Sequence, residues 1–203
     1  MNLPTAQHYA AKLIDWLTPT CTRINVAGSI RRERPACADI DLICLPKITE
    51  HRDMLGAVIA RSNHAWDFLT DYVKERNPLN SPGRKPRFIS GGEKEGKQLL
   101  IDLPKCQLDI WFATETTWAT LLLCRTGSKE HNIWLAQRAQ DHGLHWNPHH
   151  GLRPLTDTSD PADPAAYLHT PTEEALYTAL RLAYIPPKDR ELPWLTKHID
   201  SGL

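Results

Sequence analysis

The stretch GSIRRERPACADIDLI, residues 28–43, decides how this chain is read. It opens with Gly28-Ser29, at the end of the strand-like run TRINVAG, and closes in ADIDLICL, a run rich in branched residues that stops at Pro46. Asp39 and Asp41 lie two apart in that second strand. A period of two puts both carboxylates on one face and sends Ile40 and Leu42 into the core. Alone, the pair reads as two solvent-facing acids on a half-exposed strand. Charges in so apolar a strand are costly unless compensated, and a divalent cation would compensate them.

Two neighbours change the reading. The Gly28-Ser29 turn is followed by Arg31 and Arg32. A glycine turn lets backbone N–H groups approach a phosphate, serine adds a donor, and arginine adds a planar charged fork. Further on, Asp109 sits among apolar neighbours in LDIWF, a strand able to pair beside the first. Three carboxylates can hold two Mg²⁺ ions about 3.5–4 Å apart, the clamp for an in-line phosphoryl displacement.

Working outward, residues 5–17 predict a helix with Tyr9, Leu13, Trp16 and Leu17 on one face and Thr5 as its cap. Thr49 to about Ala60 predicts a second helix, its apolar face Met54, Leu55, Val58 and Ile59. Residues 63–85 read as a short helix and the loop NPLNSPGRKP. From Arg87 the pattern is antiparallel: RFIS, a GGEKEG turn, QLLIDL, a turn at Pro104-Lys105, and CQLDIWFA. A helix near TTWATLLLC follows, then a Thr-Gly-Ser turn and the amphipathic KEHNIWLAQRAQDH, with Gly143 to stop it. Residues 145–171 read as irregular. Thr170-Pro171-Thr172-Glu173 reads as a capping box opening a helix that carries Leu176, Leu180 and Ala183 and ends before Pro186-Pro187. Strands first and helices after give an α+β fold with a mixed or antiparallel sheet.

Composition limits the partners. The chain has 203 residues, 41% hydrophobic, with 24 basic and 24 acidic side chains and zero formal charge. A protein that grips nucleic acid through phosphates is usually basic, so DNA binding here should be weak and steeply salt-dependent. No run approaches the roughly 20 apolar residues of a membrane span, and the first residues lack the pattern of a signal peptide. Five cysteines without a CxxC pair predict a reduced, cytoplasmic protein.

The stretch 28–43 resembles the signature of the polymerase beta superfamily, a GS turn followed by a spaced DxD. RTGSKEHN and TEEALYTALRLAYIPPKDRE resemble segments of the family X DNA polymerases, the second seen most clearly in bacterial members. The match runs from about Ile24 to Glu191. It implies a polymerase beta-like nucleotidyltransferase palm over 1–114 and a small helical-plus-strand thumb over 115–203. It also implies a minimal form, as in small viral members, without lyase, helix-hairpin-helix or phosphatase regions.

By that resemblance Asp39 and Asp41 ligate two Mg²⁺ ions, with Mn²⁺ able to substitute, and Asp109 ligates the catalytic ion and helps deprotonate the primer 3′-hydroxyl. Ser29 and Arg32 hold the phosphates on the turn shaped by Gly28. Thr126 and Gly127 sit against the sugar, and Asn132 reaches the base. Cys124-Arg125 stands where members carry an aromatic pair that rejects ribonucleotides, which implies a looser sugar gate. Ala136 and Gln107 replace residues that are often basic.

The resemblance implies a monomeric DNA polymerase acting with nucleoside triphosphates on primer-template or gapped DNA. The alternatives are transfer to another acceptor (untemplated 3′ ends, RNA, protein or a small molecule) and a non-catalytic DNA-end-binding module. Arg84, Lys85, Arg87, Lys94 and Lys97 read as either a solvated turn or a DNA-backbone patch. His142, His145, His149 and His150 read as a solvated loop rather than a zinc site. Trp111, Trp118 and Trp134 read as core.

Overall fold

The computed structural model describes residues 1–75, 106–161 and 163–191 in full, and the backbone of 87–90 and 98–102. Helix α1 (Leu3–Leu17) leads into strand β1 (Cys21–Val26), the short helix α2 (Gly28–Arg31) and strand β2 (Ile40–Pro46). Strands β3 (Ile48–Arg52) and β4 (Val58–Asn63) precede helix α3 (His64–Glu75), and strands β5 (Arg87–Ser90), β6 (Gln98–Asp102) and β7 (Gln107–Phe112) follow. Then come helices α4 (Trp118–Thr126) and α5 (Lys129–Asp141), strands β8 (Leu144–Asn147) and β9 (Gly151–Pro154), and helix α6 (Glu173–Ala179).

Among the described residues the main sheet has five strands in the order β1-β2-β7-β6-β5. β2 runs antiparallel to β1 and parallel to β7, and β7 is antiparallel to β6. The fold is therefore α+β with a mixed sheet. Alternation along β2 and β7 sorts their side chains onto two faces. Ile40, Leu42, Cys44, Leu108, Ile110 and Phe112 pack against Ala6, Ala10 and Leu17 of α1 and Ala65, Leu69 and Val73 of α3. Ile43, Leu45, Trp111 and Ala113 face the other way, onto Trp118, Leu121 and Leu122 of α4. The opposite side of α4 (Ala119, Leu123) joins α5, the β8–β9 hairpin and α6 in a separate core that includes Leu135, Trp146 and Tyr177. α4 thus lies between two apolar layers. Each fully buried Leu on it contributes about 1.5–3 kcal/mol relative to an exposed one.

Five local expectations are corrected. Residues 48–63 form a hairpin rather than a helix, although 54, 55, 58 and 59 have helical spacing. The turn chemistry prevails: the Asp53 carboxylate accepts the N–H groups of Leu55 and Ala57, both at 2.9 Å, and Gly56 takes φ +82°. β-branched Ile48, Thr49, Val58 and Ile59 favour the strands on either side. The cap of α1 is Asn2, whose side chain accepts the Thr5 N–H at 3.0 Å. α6 is capped by Thr172, which accepts the Ala175 N–H at 3.2 Å, so Glu173 is its first residue. α6 stops before Leu180 because Arg181 takes φ +55° and turns the chain back, which leaves Ala183 outside. Residues 144–154, expected to be mostly irregular, make the β8–β9 hairpin, with Asn147 accepting the N–H groups of His149 and His150 in its loop.

His131 in α5 is completely buried, its Nε2 lying 2.7 Å from the Tyr177 hydroxyl. Burial and the Arg190 charge push its pKa down to about 3. The folded protein holds a neutral imidazole, while the unfolded chain takes a proton near the ordinary value of 6.5. Stability from this group is complete above that value and falls as pH drops toward 3, by about 1.4 kcal/mol per unit. We expect His131→Leu to flatten the loss of Tm between pH 7 and pH 4.5. A parallel decline in both proteins would refute this account.

Candidate active site

The turn between β1 and α2 is built against β2. The Ala27 N–H donates to the Asp41 carbonyl at 2.9 Å, and Gly28 takes φ +57°. A Cβ on Gly28 would lie 1.8 Å from Asp41 Oδ2, so glycine is required both by backbone angle and by the carboxylate pressed against it. Gly28→Ala should cost about 1–2 kcal/mol in backbone strain and displace the Asp41 carboxylate. Unchanged stability and an unchanged activity would rule out this contact.

Asp41 and Asp109 are directly paired across the parallel β2–β7 register, so their side chains share the face covered by α4. Asp39 lies at a bend just before β2 rather than within the strand. Asp109 is 6% exposed, and the Gln107 amide donates to its Oδ1 at 3.1 Å. Burial, and then the charges of Asp39 and Asp109, raise the Asp41 carboxyl to about 7, against the pull of Arg32 and Arg125. The three acids therefore act on one another. As their side chains stand, no three His, Cys, Asp or Glu residues among the described residues form a group that could hold a metal ion. The donor set itself is all carboxylate, which suits a hard cation such as Mg²⁺.

The other expected nucleotide contacts gather where α2, the end of α4 and the start of α5 meet. Ser29 Oγ is buried and has no hydrogen-bond partner. Arg32 is already engaged: its Nε donates to Glu191 at 2.8 Å and its Nη1 donates to the Thr126 carbonyl. Thr126 is fully buried, and its hydroxyl accepts from Arg31 at 2.8 Å. Its side chain is thereby turned to the protein. Gly127 ends α4 at φ +73°, where a Cβ would come within 3.2 Å of Arg32 Nη1. Asn132 donates to the Cys124 carbonyl at 2.8 Å, while its Oδ1 is buried without a partner. Arg125 is packed on an aromatic ring. Its guanidinium carbon lies 3.4 Å from the centroid of the Trp111 ring.

Sequence reasoning missed the connection that holds this corner together. Arg31 makes two 2.7 Å hydrogen bonds to Glu173, and Arg190 makes two more at 3.0 and 3.3 Å. Burial pushes the Glu173 carboxyl up, but the two arginines more than offset this and hold it below the usual range. Glu191 adds a second bridge, to Arg32 and Arg34. Glu173 reads in sequence as the N3 glutamate of a capping box opened by Thr170; nothing local announces partners 142 and 17 residues away.

The remaining residues are placed simply. Trp111 and Trp118 are buried and Trp134 is half-buried. His149 and His150 lie beside Trp111 and Tyr167 respectively. Arg84, Lys85, Lys94, Lys97 and the side chain of Arg87 lie outside the described residues. No helix among the described residues is long and apolar enough to cross a membrane.

Residues 121–191 match the DNA polymerase beta thumb. No curated protein matches the chain. The matched segment supplies Thr126, Glu173 and Glu191, which bind α2 and the residues following it.

Proposed function

The thumb match indicates that the chain is a family X, polymerase beta-like polymerase, and from that premise we propose that it is a DNA-directed DNA polymerase that adds nucleotides to primer 3′ ends in short gaps. The observation that carries this reading is the Asp41–Asp109 pair, set beside Asp39 and against the Gly28-Ser29 turn. Residues 1–114 are the nucleotidyltransferase palm and 115–203 the thumb.

Asp39, Asp41 and Asp109 would hold two divalent cations, Mg²⁺ or Mn²⁺, which supply the charge that draws the attacking and leaving oxygens into line. Asp109 takes the proton of the primer 3′-hydroxyl. Gly28 brings backbone N–H groups up to the triphosphate, and Ser29 Oγ donates to it, which gives that orphaned hydroxyl a partner. Asn132 presents its amide to the base, and Thr126-Gly127 supplies backbone against the sugar. Five free cysteines suit a reduced, cytoplasmic setting. Zero formal charge favours a second reading, transfer to an acceptor other than a gapped duplex.

Extension of a labelled primer on gapped, recessed and single-stranded DNA tests the proposal, with dNTPs and rNTPs supplied separately. We expect Mg²⁺-dependent, templated extension of the gapped substrate. Extension of the single strand alone would favour the second reading, and no transfer to any of these DNA ends would refute the polymerase reading. The small Cys124 should leave the sugar gate loose, since excluding one small group in a pocket is worth about 1–3 kcal/mol. Cys124→Tyr should then raise the preference for dNTP in kcat/KM. A wild-type preference of many thousandfold would overturn that expectation and assign the exclusion to the backbone at Thr126-Gly127.

A further inference from the structure

At the corner where α2, α4 and α5 meet, several polar atoms are buried without partners: Ser29 Oγ, Arg125 Nε, His131 Nδ1 and Asn132 Oδ1. Orphaned polar atoms are unusual in a native fold, where most buried donors and acceptors are paired. Arg125 is the charged member. Its guanidinium is laid on the Trp111 indole at 3.4 Å, and no carboxylate among the described residues lies within ion-pair distance of it. Trp111 follows Asp109 by two residues on β7 and therefore shares its face of the sheet. The indole holds the cation at the acid cluster, within electrostatic reach of Asp41.

Arg32, by contrast, has its Nε on Glu191 and its Nη1 on the Thr126 carbonyl. It braces the turn more than it awaits a ligand. Arg125 is the guanidinium with donors to give.

We propose that Arg125, held flat by Trp111, is a phosphate-binding residue that donates to the polyphosphate of the incoming nucleotide. The inference rests on the polymerase reading and adds to it a contact that the aromatic pair of other members would not make. Packing on the ring restrains the guanidinium while its Nη donors keep no hydrogen-bond partner among the described residues, which lowers the ordering needed to bind an anion. A planar fork suits phosphate oxygens better than a single ammonium.

The test uses Arg125→Gln and Arg125→Lys in the full chain, with binding of Mg²⁺-tripolyphosphate measured by calorimetry and Mn²⁺ binding measured without phosphate. We expect Arg125→Gln to weaken tripolyphosphate binding by at least about tenfold, the scale of one charge-assisted hydrogen bond, and Arg125→Lys to restore part of it. Mn²⁺ affinity should not weaken in either variant. Tripolyphosphate binding equal to wild type, or loss of Mn²⁺ affinity by the same factor, would overturn the proposal. If Arg125→Gln misfolds, the Lys variant decides: binding indistinguishable from wild type in both tripolyphosphate affinity and KM for dNTP counts against a planar fork. Arg125-dependent binding in a protein that extends no primer would sustain this inference and sink the polymerase reading. Normal extension with Arg125-independent binding would do the reverse.

Discussion

Asp41→Asn should abolish Mg²⁺-dependent primer extension, with a loss of at least about a thousandfold, while the protein becomes slightly more stable. Asparagine keeps the shape of the side chain that fills the space beside Gly28, so the turn has no reason to move. What it removes is charge. The Asp41 carboxyl is buried next to Asp39 and Asp109, and those neighbours and the burial together raise it to about 7. A neutral amide relieves that repulsion in the metal-free protein and raises Tm. On the proposed mechanism the same change removes a ligand from a site where charge stabilisation by the cations would supply most of the rate. Single-turnover incorporation and thermal unfolding, measured on the same preparation, separate the two effects. Residual activity above a few per cent would show that Asp41 is not a metal ligand. A large fall in Tm would show that its role is structural.

Glu173→Gln should have the largest effect on stability. Glu173 is 5% exposed and stands between Arg190, which has no exposed side-chain surface, and Arg31, which is 20% exposed. Its carboxylate accepts from both guanidinium groups and from the Tyr184 hydroxyl at 3.2 Å. An amide can accept on only one side and leaves a buried and a half-buried cation facing each other. Breaking a buried pair in this way costs about 3–5 kcal/mol. Chemical denaturation of the variant should show that loss. The double change Glu173→Gln with Arg190→Met should recover part of it, because it removes one of the unpaired charges. A destabilisation below about 1 kcal/mol, or no recovery in the double variant, would contradict the arrangement. Because Arg31 begins just after the Gly28-Ser29 turn, some loss of activity should accompany even the folded fraction.

The strands of the main sheet were legible because their signal is local. A run of branched residues ending at Pro46, and alternation through LDIWF, specify strand and face with no knowledge of distant partners. The same alternation placed Ile40 and Leu42 in the core, where both are fully buried. The hairpin at 48–63 is not legible in the same way, because apolar spacing alone does not distinguish a helix from two short strands around an Asp-x-x-Gly turn. There, two local signals compete and the turn prevails.

Other features had no local signal at all. Sequence alone groups Gly28, Ser29, Asp39, Asp41 and Asp109 as candidates for one chemistry, through residue types and spacing. Only the tertiary structure decided that Asp41 lies directly across from Asp109, because the register of two strands far apart in the chain is set by which faces they bury together. It alone turned Glu173 from a helix cap into the carboxylate between two arginines, and Arg32 from a free fork into a brace on Glu191. It also set Arg125 against Trp111. Burial removes water from long charged side chains, and each must then take whatever partner the packed fold brings within reach; that partner can be far away in the chain.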